Sequence, residues 1–404
     1  MRRRTFFQNS ALLTAGNLLW SSTTHATTGH NAYFSRLNEI LKREGPGRPV
    51  MLLDTERMNY NIDALSASVG DEKTYRIVVK SLPSVPLLSH VAQRAKTQSL
   101  MVFHQPFLNA IASAFPQSNA LLGKPMPVRA AETFYKQLSN TQFHPATQVE
   151  WLIDTRERLE QYIQLTKKLG VQIRCNFEID VGLRRGGFPN AESLSSALDL
   201  ALANPDRVQV SGLMGYEPHL TGLGADLKHP AVQEVLTRYR AQVELLSAKG
   251  LNPKTMTLNG AGSHTLKIYE RDNTMNDLSA GSGVVMPTDF DTHHLSAHRP
   301  ALYIAAPILK RYDQSPLNPK ERLYYIYGGK WKAKIASPTD VGDALYESTN
   351  QSPIVTSGAN TLEVDDYMFF RPTQSEFVML QFGDLLTVTE GKIDKHWPVF
   401  HETG

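Results

Sequence analysis

Cysteine is almost missing: Cys175 is the single thiol in 404 residues, which excludes an intrachain disulfide and a cysteine-based zinc cluster. An excess of either charge is missing too. The 42 Lys and Arg against 39 Asp and Glu leave a formal net charge of +3, and three of the arginines fall within residues 1–26, so the rest of the chain is balanced. Nothing there advertises a nucleic acid or an anionic membrane as partner. No repeat of about 20–50 residues and no low-complexity tract occurs, which excludes solenoids and propellers. A G-x-G-x-x-G turn after a first strand is lacking, which argues against an open dinucleotide-binding sheet. The composition, 41% hydrophobic, 9% aromatic and 20% charged, is that of a globular protein rather than a disordered, collagen-like or coiled-coil chain. At about 150 residues per domain, the length fits two domains or one barrel with an appendage.

The N-terminus reads as a targeting segment. Arg2-Arg3-Arg4 precedes Thr5-Phe6-Phe7, then an apolar stretch from Ala11-Leu12-Leu13 to Leu18-Leu19-Trp20, then Thr24-His25-Ala26, an A-x-A-like exit. Thr14, Gly16 and Asn17 interrupt the stretch, which is too short to stay in a bilayer. An arginine pair before x-Phe-Phe resembles a twin-arginine export signal. The expectation is therefore a periplasmic or exported protein that crosses the membrane already folded.

Beyond that segment, short apolar runs alternate with stretches at helical spacing. The runs are Ile77-Val78-Val79, Leu100 to Phe103, Ala120-Leu121-Leu122, Trp151-Leu152-Ile153, Ile173 to Ile179, Val210 to Met214, Met256-Thr257-Leu258 and Leu278-Ser279-Ala280. Leu159, Tyr162, Ile163 and Leu169 form one helical stripe between them; Val232, Val235, Leu236, Tyr239 and Val243 form another. Strand-like runs each followed by room for a helix predict a (β/α)8 barrel. After about residue 295 the runs Tyr303 to Ala306, Leu323 to Tyr327, Phe377 to Leu380 and Leu385 to Thr389 read as strands of a β domain. The expected division is an export segment over 1–26, a segment over 27–54 whose Pro49 to Leu53 joins the β domain as a strand, the barrel over 55–294 and the β domain over 295–404.

Four features carry chemistry. Lys80 ends the first barrel strand, where catalytic groups of barrels sit; it is either a lysine that snorkels to solvent or a desolvated amine able to form an imine with an aldehyde. The turn from Glu178 to Phe188 sets Asp180, Arg184 and Arg185 around three glycines, a tight salt-bridged turn or a holder of a planar anion. Two glycine turns, Asn259 to Ser263 and Ser279 to Gly283, follow strands seven and eight, the usual phosphate seat of barrels. His104, after strand two, and His219, after strand six, are either catalytic or hydrogen-bonded residues of the rim. The cluster Asp289, Asp291, His293, His294 and His298 reads as a polar linker between domains. Gly328 to Lys332 is either a hairpin turn or a strip lining a partner's site, and Cys175 reads as a core thiol.

Lysine, phosphate cradle and arginine turn together point to pyridoxal phosphate, and here the chain resembles fold-type III pyridoxal-phosphate enzymes: the group of D-threonine aldolase and D-serine dehydratase, and more distantly alanine racemase. The likeness runs from about Pro49 to Val399, through the Lys80 strand, "EIDVGLRRGGF", "GLMGYEPHL", "NGAGSHT", "DLSAGSGVVMPTDFD" and "RPTQSEFVMLQFGDLLTVTEGKIDKHWPVF". The resemblance implies that Lys80 joins the cofactor and shuttles a proton at Cα, that Arg185 faces its phenolic oxygen, that Tyr216 lies near its ring, and that Gly262, Ser263, Gly281 and Ser282 hold its phosphate. It also implies a homodimer acting on a small amino acid. Two departures stand out. Ser279 replaces the arginine with which alanine racemases hold the pyridine nitrogen. The metal-binding segment P-x-H-x-C of the aldolases and dehydratases reads Pro372-Thr373-Gln374-Ser375-Glu376, an oxygen pair poor for zinc but conceivable for manganese or magnesium, so no tightly held zinc is expected, a divalent metal is doubtful, and Glu376 becomes a candidate general base. The reading is an exported enzyme cleaving or dehydrating D-β-hydroxy amino acids. Its alternatives are a metal-independent amino-acid racemase and a pyridoxal-phosphate-binding protein without turnover.

Overall fold

The computed structural model describes residues 29–401; the export segment of 1–26 lies outside the described residues. Strand β1 (Val50–Asp54) comes first in the sheet domain, and the eight strands that follow close into a parallel barrel: β2 (Thr74–Val78), β3 (Ser99–Val102), β4 (Asn119–Leu122), β5 (Val149–Ile153), β6 (Ile173–Glu178), β7 (Val208–Met214), β8 (Thr257–Gly260) and β9 (Asp277–Ala280). β9 pairs with β2, Leu278 opposite Tyr75, and completes the ring. Each of the eight apolar runs of the sequence is one of these strands. Cys175 is buried in β6, where loss of water pushes its thiol pKa up.

Several of the helices between strands start on side-chain caps. Asp54 accepts from the Arg57 amide to open α1 (Thr55–Val69), and Thr155 and Asn190 do the same for Arg156–Leu169 and Ala191–Leu202. Met58, Ile62 and Leu65 of α1 are buried against the barrel. Between them and the chain's later part, Asn61 donates to the carbonyls of Val284 (2.9 Å) and Arg299 (2.7 Å) and accepts from the Arg299 amide (2.8 Å). That single amide ties α1 to the segment leaving the last barrel strand, directly behind the second glycine turn.

The barrel interior departs from the apolar layers usual for the architecture. Buried Arg76 makes a two-pronged pair with Asp277 (2.8 and 2.7 Å) and reaches Asn119 Oδ1 (2.8 Å) and the Leu100 carbonyl (3.0 Å). Fully buried Glu150 accepts from Thr257 (2.9 Å), Asn176 (3.2 Å) and Asn119 (3.3 Å). Asn259 links Asp277 to Ser279, at 2.5 and 2.8 Å. Charges so deep hold only because every partner is in place.

The second domain is a sheet in the order β13-β14-β11-β10-β1-β16-β17, with β15 alongside β10 and β12 alongside β15. Its strands are β10 (Leu302–Tyr312), β11 (Glu321–Tyr327), β12 (Ala333–Ser337), β13 (Val341–Ala344), β14 (Gln351–Ser357), β15 (Tyr367–Pro372), β16 (Asp384–Thr389) and β17 (Lys392–Pro398). β1 lies between β10, antiparallel, and β16, parallel. Two expectations are corrected here. Phe377 to Leu380 is part of a short helix, Glu376–Leu380, with Val378 and Met379 buried, because a four-residue apolar run fits a buried helical turn as well as a strand. Gly328 to Lys332 is not a hairpin turn: β11 pairs with β14, whereas β12 pairs with β15. Trp331 anchors this crossing against Phe370 and Phe382, with ring centroids 5.6 and 5.9 Å away.

Candidate active site

At the C-terminal ends of the barrel strands lies a cavity of about 400 Å³. Side chains enter it from the turns after the strands and from the β domain, and the turn after β2 supplies the amine. Lys80 sits in a single helical turn, Val79–Ser81, just past the strand. Its Nζ lies 3.3 Å from Glu376 Oε1 and 5.4 Å from the centroid of Phe103. The second carboxylate oxygen of Glu376 is buried without a hydrogen-bond partner, an acceptor left unsatisfied in the wall of the cavity. Ser375 fixes this geometry by donating from its hydroxyl to the Ser81 carbonyl at 2.9 Å, which fastens the β-domain segment to the lysine turn.

The two glycine turns meet the lysine turn on one wall. The Ser263 hydroxyl accepts from the amides of Gly281 (3.1 Å) and Gly283 (3.0 Å), and Ser282 donates to Ser81 at 3.0 Å. Space dictates glycine at two of these positions. A Cβ on Gly281 would stand 2.9 Å from the Val78 carbonyl oxygen and from Cβ of Val78 and of Ser81, and one on Gly262 would stand 2.8 Å from the Tyr216 ring. Gly281→Ala is therefore expected to lose about 1–3 kcal/mol of stability by overpacking, read by urea unfolding. A wild-type midpoint would show that the three turns are not packed as described.

Tyr216 forms the neighbouring wall, with the Arg185 guanidinium 4.9 Å from its ring centroid; burial raises its phenol pKa. The turn holding Arg185 is shaped by Asp180, whose carboxylate accepts from the amides of Gly182 (2.8 Å) and Arg184 (3.0 Å). Of its two arginines, Arg185 lines the cavity. Glu178 at the base of the turn has its pKa raised by burial and by Asp154, with Arg185 opposing.

Lys80, Arg185, Tyr216, Gly262, Ser263, Gly281, Ser282, Gln374 and Glu376 thus line one cavity. His104 and His219 do not. His104 precedes the helix Gln105–Ala114 with its ring edge-on to Phe107, 5.3 Å away. The His219 ring packs against the Gly182 turn, and its Nδ1 is buried without a partner. Both occupy the rim, as their positions in the sequence imply, but their rings turn away from the opening.

Sequence reasoning missed part of the wall. Asp289, read as linker, lines the cavity, as does Phe290, which stacks on His264 with centroids 4.2 Å apart. Asp291 pairs with Arg371. Gln374 donates to Asp289 Oδ2 at 3.2 Å, and the Asp289 amide donates to the Thr373 carbonyl. Gln374 and Glu376 are therefore engaged by Asp289 and Lys80. Among the described residues no group of three or more His, Cys, Asp or Glu side chains is arranged to hold a metal. The side chains present do not fit a tight divalent site.

The sequence model of one protein family, the alanine racemase N-terminal domain, matches residues 53–288. No curated protein sequence matches the chain. Among solved structures, D-threonine aldolase from Filomicrobium marinum superposes with a TM-score of 0.70 at 14% identity, over 87% of this chain and 96% of that one. D-threo-3-hydroxyaspartate dehydratase from Delftia sp. HT23 gives 0.70 at 14% identity, over 88% and 97%. An alanine racemase from Bacillus anthracis gives 0.68 at 12% identity, over 87% and 97%. At such identities the likeness is one of fold.

Proposed function

The chain belongs to the alanine racemase N-terminal domain family, and from that premise we propose that it is an exported pyridoxal-phosphate enzyme that acts on D-amino acids with a β-hydroxyl, by cleaving Cα–Cβ or by eliminating the hydroxyl. The observation that carries this reading is the meeting of one amine, two glycine turns and an aromatic wall in a single cavity at the catalytic end of the barrel. The glycine positions that a Cβ would fill, and the Ser263 and Ser282 hydroxyls between them, suit a phosphate. Bound there, pyridoxal phosphate supplies an aldehyde for the substrate amine and a ring that takes up the electrons released at Cα.

The chain's own residues do the rest. Lys80 would hold the cofactor and would carry a proton to or from the substrate's Cα. Arg185 would help to orient the cofactor's ring. Glu376, beside Lys80 with one oxygen unpartnered, takes the β-hydroxyl proton in a cleavage or gives a proton to the departing hydroxide in an elimination. Phe103, Phe290 and Tyr216 exclude water from the reacting carbons. A homodimer and export through residues 1–26 are part of the same proposal. Among the described residues no helix is long and apolar enough to cross a membrane.

The test is product analysis with D-threonine and D-serine, with and without chelator. Glycine with acetaldehyde means cleavage, a keto acid with ammonia means elimination, and the L-isomer means a racemase instead. No product from any amino acid would leave a binding protein without turnover. Glu376→Gln, which keeps shape and removes the base, is expected to lower kcat about 10²–10⁴-fold with the cofactor still bound. An unchanged kcat would remove Glu376 from the proton path.

A further inference from the structure

Directly behind the first glycine turn lies a carboxyl group that the proposed chemistry does not use. Glu217 follows Tyr216, is 1% exposed, and accepts from the Thr265 hydroxyl at 2.5 Å. That hydroxyl oxygen in turn accepts from the Gly262 amide at 3.0 Å. Ala261 stands at φ 65°, in the left-handed region, which a side chain enters only when its surroundings enforce it.

We propose that Glu217 is a positioning residue that braces the Gly260–Thr265 turn from behind, through Thr265, and so fixes how Gly262 and Ser263 meet the cofactor's phosphate. The Thr265 hydroxyl has one hydrogen. Glu217 takes it, so the oxygen lone pairs stay directed at the Gly262 amide. Two further bonds close the turn: the amides of Thr265 and Leu266 donate to the Gly262 carbonyl at 3.0 and 2.9 Å. Without the carboxyl the hydroxyl is free to turn, and an alanine at positive φ loses one of its constraints. The phosphate half of this inference rests on the cofactor reading above; the brace itself does not.

Burial pushes the Glu217 pKa up to about 7. The titratable groups facing it are the phenols of Tyr216, Tyr239 and Tyr269, all held above their ordinary value by burial. Asp277 lies beyond Tyr239, Asp272 beyond Tyr269, and Arg185 and Glu376 beyond Tyr216. A phosphate dianion set down across the turn favours the protonated carboxyl further, so binding takes up a proton and weakens as pH rises through about 7. The stability sign agrees. A carboxyl raised above its unfolded value carries a penalty that is absent below the unfolded pKa and grows as pH rises toward the folded one.

The experiment compares wild type, Glu217→Gln, Glu217→Ala and Thr265→Val by two readouts. The first is amide hydrogen exchange of the segment 260–266. The second is titration of the cofactor-free protein with pyridoxal phosphate, and with pyridoxal as the probe lacking a phosphate, at about pH 6 and about pH 8. Glu217→Ala and Thr265→Val are expected to speed exchange and weaken pyridoxal phosphate about tenfold, the worth of one buried hydrogen bond, with pyridoxal unchanged. Glu217→Gln keeps an acceptor for Thr265, so it binds as wild type at about pH 6 but lacks the extra weakening of wild type at about pH 8. Wild-type exchange and affinity in both Glu217→Ala and Thr265→Val would overturn the brace, and Thr265→Val alone decides should Glu217→Ala fail to fold. If wild type takes up no pyridoxal phosphate, the cofactor reading falls, and hydrogen exchange decides the brace by itself.

Discussion

Replacing Lys80 with alanine is expected to remove both the visible absorbance of the cofactor-loaded protein and at least about 10³-fold of its activity. The nitrogen stands 3.3 Å from Glu376 and lines the same cavity as Ser263, Gly281 and Ser282. If the cofactor's phosphate sits on those turns, as proposed, Lys80 is the amine on the wall of the same cavity that its aldehyde would meet. Borohydride should fix the cofactor to wild type, and peptide mapping should find the label on residues 74–82. The alanine protein should keep its fold, since Lys80 is half-exposed and its one ion pair is with a partly exposed carboxylate, a contact of small worth to stability. A reducible band surviving in Lys80→Ala would place the reactive amine elsewhere and with it the whole site.

The largest loss of stability is expected from Asp277→Ala. Asp277 and its partner Arg76 have side chains only 5% and 2% exposed, so removing the carboxylate leaves a buried guanidinium without its paired counter-charge, held only by Asn119 and the Leu100 carbonyl, and Asn259 loses an acceptor in the same step. Breaking a buried pair from one side costs about 3–5 kcal/mol, to be read from urea unfolding. The double replacement Arg76→Met with Asp277→Leu should regain most of that loss, because the pair's cost lies in leaving one charge unpaired. A single substitution costing less than about 1 kcal/mol would mean that water reaches the barrel interior.

The barrel is legible in the sequence because each strand is a short apolar run closed by turn residues, and a helical stripe separates one from the next. Lys80 and the two glycine turns stand out for a related reason, their place just after barrel strands, although each also admits a structural reading; Arg185 is set apart from Arg184 only by the family resemblance. Direction is not legible. His104 and His219 stand on the rim by position, yet their rings rotate toward Phe107 and the Gly182 turn, and no spacing rule reports a rotamer. Arg76, Glu150 and Asp277 look like ordinary charges in a strand pattern, since a period of two does not say which face the barrel encloses. Phe377 to Leu380 shows the limit from the other side, because four apolar residues carry too little period to separate a helical turn from a strand. Asp289 was hidden by its neighbours, a polar run typical of a linker; its place in the cavity depends on Thr373 and Gln374, which arrive from the other domain.

Strand β1 carries a consequence for synthesis. It leaves the ribosome before any barrel strand, yet its partners are Leu302 to Ala305 and Leu386 to Val388. Through the making of the whole cylinder it waits without its strand partners, only the adjoining helices Ala32–Glu44 and Thr55–Val69 being at hand to cover its four buried apolar side chains. The same late stretch delivers Gln374 and Glu376 to the opening. Closure of the sheet and completion of the reaction chamber therefore fall together, only after every barrel strand has been made, and a chain halted before Val388 has neither.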